Sequence, residues 1–330
     1  MDIQALFESF RQKKIIVLGD VMLDSYILGN VSRISPEAPV PIVSLRATDE
    51  RLGGAANVAL NLASLGASPV ICSLIGDDFE GKRLAGLFAE NNMASEGLVK
   101  SEGRKTTVKT RIIGNNQQLL RIDSEQTDDI SKADEDRLFA KIEALIGSGI
   151  DALVFEDYNK GVLTESLITR VIALCREKGV ATTVDPKKKN FFAYQGVTLF
   201  KPNLKELKEG LDLGFSISDT LAFDAAVESL RTKLKHEITF ITLSEHGVFI
   251  KNESEKHHIP AHVRNIADVS GAGDTVISVA TLCLCAGLPI EQIAAVSNLA
   301  GGLVCEKAGV VSIDKEELME EMKQFIGWNY

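Results

Sequence analysis

Basic residues are the scarcer charge in this chain, with 36 Lys and Arg against 46 Asp and Glu and a formal net charge of −10. That balance excludes a general nucleic-acid binder and a protein that coats an anionic membrane, both of which need a basic face. Cysteine is sparse and odd in number, at Cys72, Cys175, Cys283, Cys285 and Cys305, all in apolar contexts. A disulfide framework is therefore not expected; reduced core thiols in a cytoplasmic protein are. Cys283 and Cys285 lie two apart and point to different faces of a helix, while His258 and His262 lack matching ligands, so no zinc site is expected. No apolar run approaches the roughly 20 residues of a membrane span. The first eight residues carry acids and no apolar segment, unlike a signal peptide. Repeats, low-complexity tracts and linkers are absent too.

What remains is the composition of a soluble globular protein, 330 residues with 45% hydrophobic and 25% charged. Strand-like and helix-like segments alternate. Residues 14–20, 69–75, 151–156, 180–185, 197–200 and 238–243 read as buried strands. Residues 53–65, 79–91, 138–147, 165–178 and 218–234 read as helices. Such alternation predicts an α/β fold with a doubly wound, mostly parallel sheet covered on both faces. Ligands of such sheets bind beyond the carboxyl ends of the strands, where Asp20, Asp157, Asp185 and Ser244 fall. Two segments break the pattern. Residues 26–45 hold two β-rich pieces, and residues 106–122 read as a hairpin turning at Gly114-Asn115-Asn116. They are expected to pair into a small separate sheet, acting as a lid or a dimer surface. The whole, residues 1–330, reads as one domain with lid segments at about 21–45 and 104–123.

The most informative stretch is Asp268-Val269-Ser270-Gly271-Ala272-Gly273-Asp274, which runs into an apolar helix at residues 276–285. Two glycines around an alanine leave the amides of the first turn uncovered, and unpaired donors at a helix N-terminus attract an anion. Asp274 either caps that helix or acts on something bound beside it. Rival phosphate motifs fail. The segment Gly76-Asp77-Asp78-Phe79-Glu80-Gly81-Lys82-Arg83 nearly matches a Walker A loop, but Arg83 replaces the Mg²⁺-binding Ser/Thr and three acids line the loop. Gly53-Gly54 and Gly271-x-Gly273 lack the third glycine of a dinucleotide fingerprint.

Three blocks in order, Gly53-Gly54-Ala55-Ala56-Asn57-Val58-Ala59, Lys201-Pro202-Asn203-Leu204-Lys205-Glu206 and Asp268–Asp274, resemble the signatures of the ribokinase-like (PfkB) carbohydrate kinases. The resemblance covers the chain from Lys14 onward. Other segments are similar to the branch of that family acting on D-glycero-D-manno-heptose 7-phosphate: Gly19–Asp24, Ser32–Pro41, Asn116–Asp123, Asp157-Tyr158-Asn159-Lys160-Gly161 and Asp185-Pro186-Lys187. Many members of that branch continue into an adenylyltransferase domain. No second nucleotide-binding segment follows here, so a kinase-only form is expected.

The resemblance implies ATP-dependent phosphorylation of the C1 hydroxyl, giving heptose 1,7-bisphosphate for ADP-heptose and lipopolysaccharide core synthesis. Asp274 would take the proton from the attacking hydroxyl, and the Gly271, Ala272 and Gly273 amides would hold the transferring phosphoryl oxygens. Asn203 and Glu206, with Leu204 and Lys205 between them, would orient Mg²⁺ and the ATP phosphates, Glu206 reaching the metal through water. Ser244, Gly247 and Asn298 fall on the nucleotide side. Asp24, Gly53, Gly54 and Asn57 resemble sugar contacts, carboxylates and amides being suited to a polyol. Asp157 and Lys160 would hold sugar and phosphate, and Lys187 would neutralise the transferring group. Arg33, Lys109, Arg111 and Arg121 are the lid cations available to the sugar phosphate, with Lys109 and Arg111 on one strand face. A monovalent cation is left open beside ATP and Mg²⁺, and a homodimer through the lid is expected. Two alternatives stand: a family member acting on another sugar, sugar phosphate or nucleoside, or a sugar-phosphate sensor without turnover.

Overall fold

The computed structural model describes residues 2–325. A short amphipathic helix, Ile3–Phe10 (α1), is capped by Asp2, whose carboxylate accepts from the Ala5 amide. Lys14–Gly19 (β1) follows, apolar and buried past its first residue, as a central parallel strand must be. The chain then leaves the main sheet in two long strands, Val21–Ile34 (β2) and Pro41–Gly54 (β3), and returns through Ala55–Ser64 (α2). Ser68–Gly76 (β4), Phe79–Glu90 (α3) and Ala94–Ser101 (β5) build one flank, and Val108–Gly114 (β6) with Gln117–Ser124 (β7) makes a hairpin. Lys132–Gly147 (α4), Ala152–Glu156 (β8), Glu165–Lys178 (α5), Ala181–Asp185 (β9), Leu199–Phe200 (β10) and Leu204–Leu211 (α6) resume the alternation. Thr220–Leu234 (α7), Ile238–Thr242 (β11), Val248–Lys251 (β12) and Lys256–Ile259 (β13) complete the sheet, and Ala272–Cys285 (α8), Ile290–Cys305 (α9) and Lys315–Phe325 (α10) close the fold.

The main sheet runs β13-β12-β11-β10-β9-β8-β1-β4-β5, parallel from β11 to β5 with an antiparallel hairpin at the β13 edge. Side chains alternate between its faces. Ala152 and Val154 of β8 join the core under α2, α8 and α9, whereas Leu153 and Phe155 join the core under α4, α5 and α7. All five cysteines are free thiols, four of them buried. No helix among the described residues is long and apolar enough to cross a membrane.

The second sheet is the expected lid, in the order β3-β2-β6-β7. Register places Asp24 beside Lys109 and Tyr26 beside Arg111 on the parallel β2–β6 pair, and the guanidinium groups of Arg51 and Arg111 both cover the Tyr26 ring. The opposite parity carries Ile27, Ile112, Leu120 and Ile122. Exposed apolar side chains gather on this sheet, with Leu45 65%, Leu120 54% and Ile122 51% exposed.

Several boundaries differ from expectation. The lid's second strand extends to Gly54, so the helix expected from residue 53 begins at Ala55. Gly54 sits at φ 61°, a left-handed conformation that suits glycine at this strand-to-helix corner. Helix α4 begins at Lys132, where Ser131 caps the Asp134 amide. Its charged first turns hid the start. Strands β5, β12 and β13 were unexpected; β5 and β13 are edge strands with few apolar residues, and β12 is only four residues long.

Candidate active site

Four neighbouring strands end in charged groups: Asp20 after β1, Glu156 and Asp157 at β8, Asp185 at β9 and Lys201 after β10. Glu156 and Asp185 are register partners on the α8 face of the sheet, while Asp157, one residue on, turns to the other face. Asp274 enters from the first turn of α8. Glu156, Asp185 and Asp274 each bring one oxygen within 4.8 Å of the others, and they are 1%, 4% and 6% exposed.

Asp274 is held from two sides. Asn57 Nδ2 donates to Oδ2 at 2.6 Å, and the Tyr158 hydroxyl donates to Oδ1 at 2.8 Å. Burial raises the carboxyl to about 6; the two hydrogen bonds oppose that rise and the Asp185 charge adds to it. Tyr158 is itself pushed well above 10 by burial and then by the Asp274 charge, so it remains a neutral donor. Gly271, the residue before α8, sits at φ 82°, and a Cβ there would stand 3.0 Å from Asn57 Nδ2. Gly273 faces the acids: a Cβ would lie 3.4 Å from Asp185 Oδ2 and 3.7 Å from Lys201 Nζ. The three amides expected to cradle an anion are not equivalent, because the Ala272 amide already donates to the Val269 carbonyl at 3.3 Å.

Two lysines offset part of the negative charge. Lys201 is 2% exposed, with Nζ 2.8 Å from Asp185 Oδ2. Burial works to discharge it, but Asp185 and Glu206 outweigh burial and its pKa rises. Lys187 pairs with Glu206 and lies 3.8 Å from Asp185, and the same contest leaves it firmly protonated. Asn203 and Glu206 form a reciprocal capping box at the start of α6, Asn203 Oδ1 accepting from the Glu206 amide and Glu206 Oε2 from the Asn203 amide. This fixes Glu206 with its other oxygen on Lys187. Leu204 and Lys205 supply the first turn between them. Ser244 and Gly247, both at positive φ, bound the short turn after β11, and Asn298 donates to the Pro260 carbonyl at 2.9 Å.

The groups expected around the sugar have partners of their own. Asp24 is ion-paired with Arg111, and Gly53 lets its carboxylate lie close because a Cβ there would collide with it. Lys109 places Nζ 5.5 Å above the Tyr158 ring; burial lowers its pKa, with Asp24 opposing. Lys160 pairs with Glu125 at 2.7 Å, and Arg121 pairs with Asp123 along its own strand. Arg33 is exposed at the lid's far end. Asp157 departs most from expectation. It is buried on the far face, accepting from the Asn159 amide and the Tyr194 hydroxyl, both at 2.8 Å, and so braces the loop instead of facing the acid cluster. Asp20 braces it as well, accepting from the Tyr158, Lys160 and Val162 amides at 3.0 Å each.

Three groups at the centre had not been assigned roles: Glu156, Tyr158 and Lys201. Strand alternation could have found Glu156, since it shares parity with Ala152 and Val154 on the α8 side. A lysine ending an apolar strand was the signal for Lys201. Tyr158 gave none, because its contact with Asp274 spans 116 residues.

The family model for pfkB family carbohydrate kinases matches residues 12–317, and the chain belongs to that family. Among individual proteins, the bifunctional protein HldE of Methylobacillus flagellatus is 41% identical over 309 residues, 94% of this chain and 63% of that protein. The HldE of Syntrophotalea carbinolica is 38% identical over 323 residues, covering 97% and 65%. The chain thus spans less than two thirds of the length of these relatives. Of solved structures, phosphofructokinase-2 from Escherichia coli in complex with potassium aligns with a TM-score of 0.78 at 19% identity, over 96% of this chain and 99% of that one. Arabidopsis thaliana ribokinase complexed with ribose and ATP aligns at 0.72 and 15% identity, over 95% and 99%. The fold is ribokinase-like, and the chain is a carbohydrate kinase of this class.

Proposed function

We propose that the chain transfers the γ-phosphoryl group of ATP to the C1 hydroxyl of D-glycero-D-manno-heptose 7-phosphate, working as one kinase domain with a lid. The observation that carries the reaction is Asp274, buried, doubly oriented and poised near neutral pH at the N-terminus of α8. Its carboxylate takes the hydroxyl proton as the new O–P bond forms and the bond to ADP breaks. The Gly271 and Gly273 turn and the Lys187 ammonium face the charge on the transferring oxygens. Mg²⁺ supplies charge neutralisation on the ATP phosphates, and the all-oxygen donors here, Glu206 through water among them, suit that hard ion. Gly54, Asn57 and Asp24 line the sugar side, with Arg111 and Lys109 of the lid as the cations for the substrate phosphate.

The choice of heptose rests on the lid and strand-end segments and agrees with the HldE relatives. A cytoplasmic location is supported by the use of ATP and by the unpaired cysteines, and a homodimer through the lid by the exposed apolar face of that sheet. The test is a panel of sugars and sugar phosphates with ATP, with phosphorus NMR of the product, run with and without potassium. A new anomeric phosphate on heptose 7-phosphate is expected. Transfer to another sugar but not to this one would sink the substrate assignment and leave the kinase class standing.

A further inference from the structure

We infer that Asn61 is a positioning residue for this reaction: acting through Asn57, it makes the carboxamide that faces Asp274 present its nitrogen. The inference rests on the reading of Asp274 as the base. Asn57 and Asn61 lie four apart on α2, the spacing that stacks side chains on one helix face, and both are buried. A buried carboxamide is costly unless its donors and acceptors are met. Asn61 meets all of its own. Its Nδ2 donates to the Asn57 carbonyl at 2.9 Å and reaches Asn57 Oδ1 at 3.5 Å. Its Oδ1 accepts from the Ile313 amide at 3.0 Å and from the Thr275 hydroxyl at 3.0 Å, a proton shared with the Gly271 carbonyl at 3.2 Å.

The order of donors along these groups admits one solution. A backbone N–H only donates, so the Asn61 atom facing Ile313 is the oxygen, and the nitrogen turns to Asn57. That nitrogen meets Asn57 Oδ1, which leaves Asn57 Nδ2 to donate to Asp274 Oδ2 at 2.6 Å. The 3.5 Å contact is weak by itself, and its part is to choose between two orientations. The opposite choice sets a carbonyl oxygen against the carboxylate, removing a donor and adding repulsion. Ile313 lies in the segment between α9 and α10, and Val310 of that segment packs on the turn before α8. A Cβ at Gly271 would stand 3.1 Å from Val310 Cγ1. Asn61 thus ties α2, the first turn of α8 and this segment to the polarity of one hydrogen bond at the base.

The experiment compares the unaltered protein with Asn61→Leu, an apolar side chain of similar size. A fall of about 10-fold in kcat with KM for ATP unchanged is expected, short of the ~10²-fold that a 1 Å misplacement costs. Placed on Asn57→Ala, the same substitution should cost little more, because its effect runs through Asn57. Equal losses in the two backgrounds overturn the inference, and so does an unchanged kcat. Neutron diffraction of the perdeuterated, unaltered protein needs neither turnover nor a variant, and it decides if Asn61→Leu does not fold. Deuterium is expected on the Asn57 atom facing Asp274 and on the Asn61 atom facing Asn57; the reverse orientation overturns the inference. The two readings fail separately, since turnover retained in Asp274→Asn would remove the base and leave that orientation standing.

Discussion

The hydroxyl of Tyr158 donates to Oδ1 of Asp274 across 2.8 Å, while the backbone amide of the same tyrosine is held by Asp20. The loop after β8 and the first turn of α8 are thus tied to each other at the reacting carboxylate. Because that hydrogen bond stabilises the ionised form, Tyr158→Phe is expected to move the acid limb of the pH–rate profile upward. A fall of roughly 10-fold in kcat, with KM for ATP unchanged, should accompany it. An altered Tm with an unmoved limb would assign the tyrosine to folding alone.

For Asp274 the sign of the pH effect is fixed by burial, which raises its carboxyl to about 6. A general base works ionised, so kcat/KM should be level above that pH and fall tenfold per unit below it. Asp274→Asn should keep nucleotide affinity, as measured by calorimetry, and lose about 10²–10⁴ in turnover. Undiminished turnover would remove the base from the mechanism.

The two glycines of the turn should respond differently. Gly271 sits at φ 82° with Asn57 Nδ2 3.0 Å from a would-be Cβ, so Gly271→Ala is expected to destabilise the fold by ~1–2 kcal/mol and disturb the amide that orients Asp274. Around Gly273 the same atom meets only ordinary contacts, at 3.4 and 3.7 Å. Gly273→Ala should therefore leave Tm nearly unchanged while its methyl group stands beside Asp185 and Lys201. Denaturant melts and kcat/KM on the same two proteins separate the effects.

Much of this was legible in the chain because it is local. Apolar runs such as Lys14–Gly19 announce buried parallel strands, and Gly271-Ala272-Gly273-Asp274 announces an uncovered helix start. What escaped depends on facing and distance. Asp157 drew attention as an acid at a strand end, yet pleating turns it toward Tyr194 and gives the α8 side to Glu156. Asn203 and Glu206 were read for their spacing, which equally serves a capping box. The partners that occupy Lys160 and Arg111, Glu125 and Asp24, come from other segments, and no periodicity links them.

On the lid, Asp24 and Arg111 neutralise each other beside Tyr26, with both side chains largely buried. A phosphorylated sugar would compete for that guanidinium and free Asp24 for a hydroxyl. Arg111→Ala is expected to raise KM for the sugar phosphate about 10-fold or more. Arg111→Lys should recover little, since an ammonium lacks the planar fork. The contrast to measure is KM for a phosphorylated acceptor against its unphosphorylated analogue; equal losses on both would place Arg111 in lid folding instead.

Asp157 supplies a separate test, through stability. Burial first, and the Asp20 charge second, raise its carboxyl to about 6, above the ordinary aspartate range. A carboxyl whose folded pKa lies above its unfolded one favours the fold most at low pH, and that contribution is lost as pH climbs through the folded value. A shift of about two units corresponds to roughly 3 kcal/mol between the two limits. Asp157→Asn keeps one oxygen to accept from the Asn159 amide, turns its amide nitrogen to the Tyr194 hydroxyl, which then accepts, and does not ionise. Its stability relative to the unaltered protein should therefore improve between pH 4 and pH 8, read as the difference in urea midpoints. A constant difference across that range would mean that Asp157 does not titrate in its buried setting.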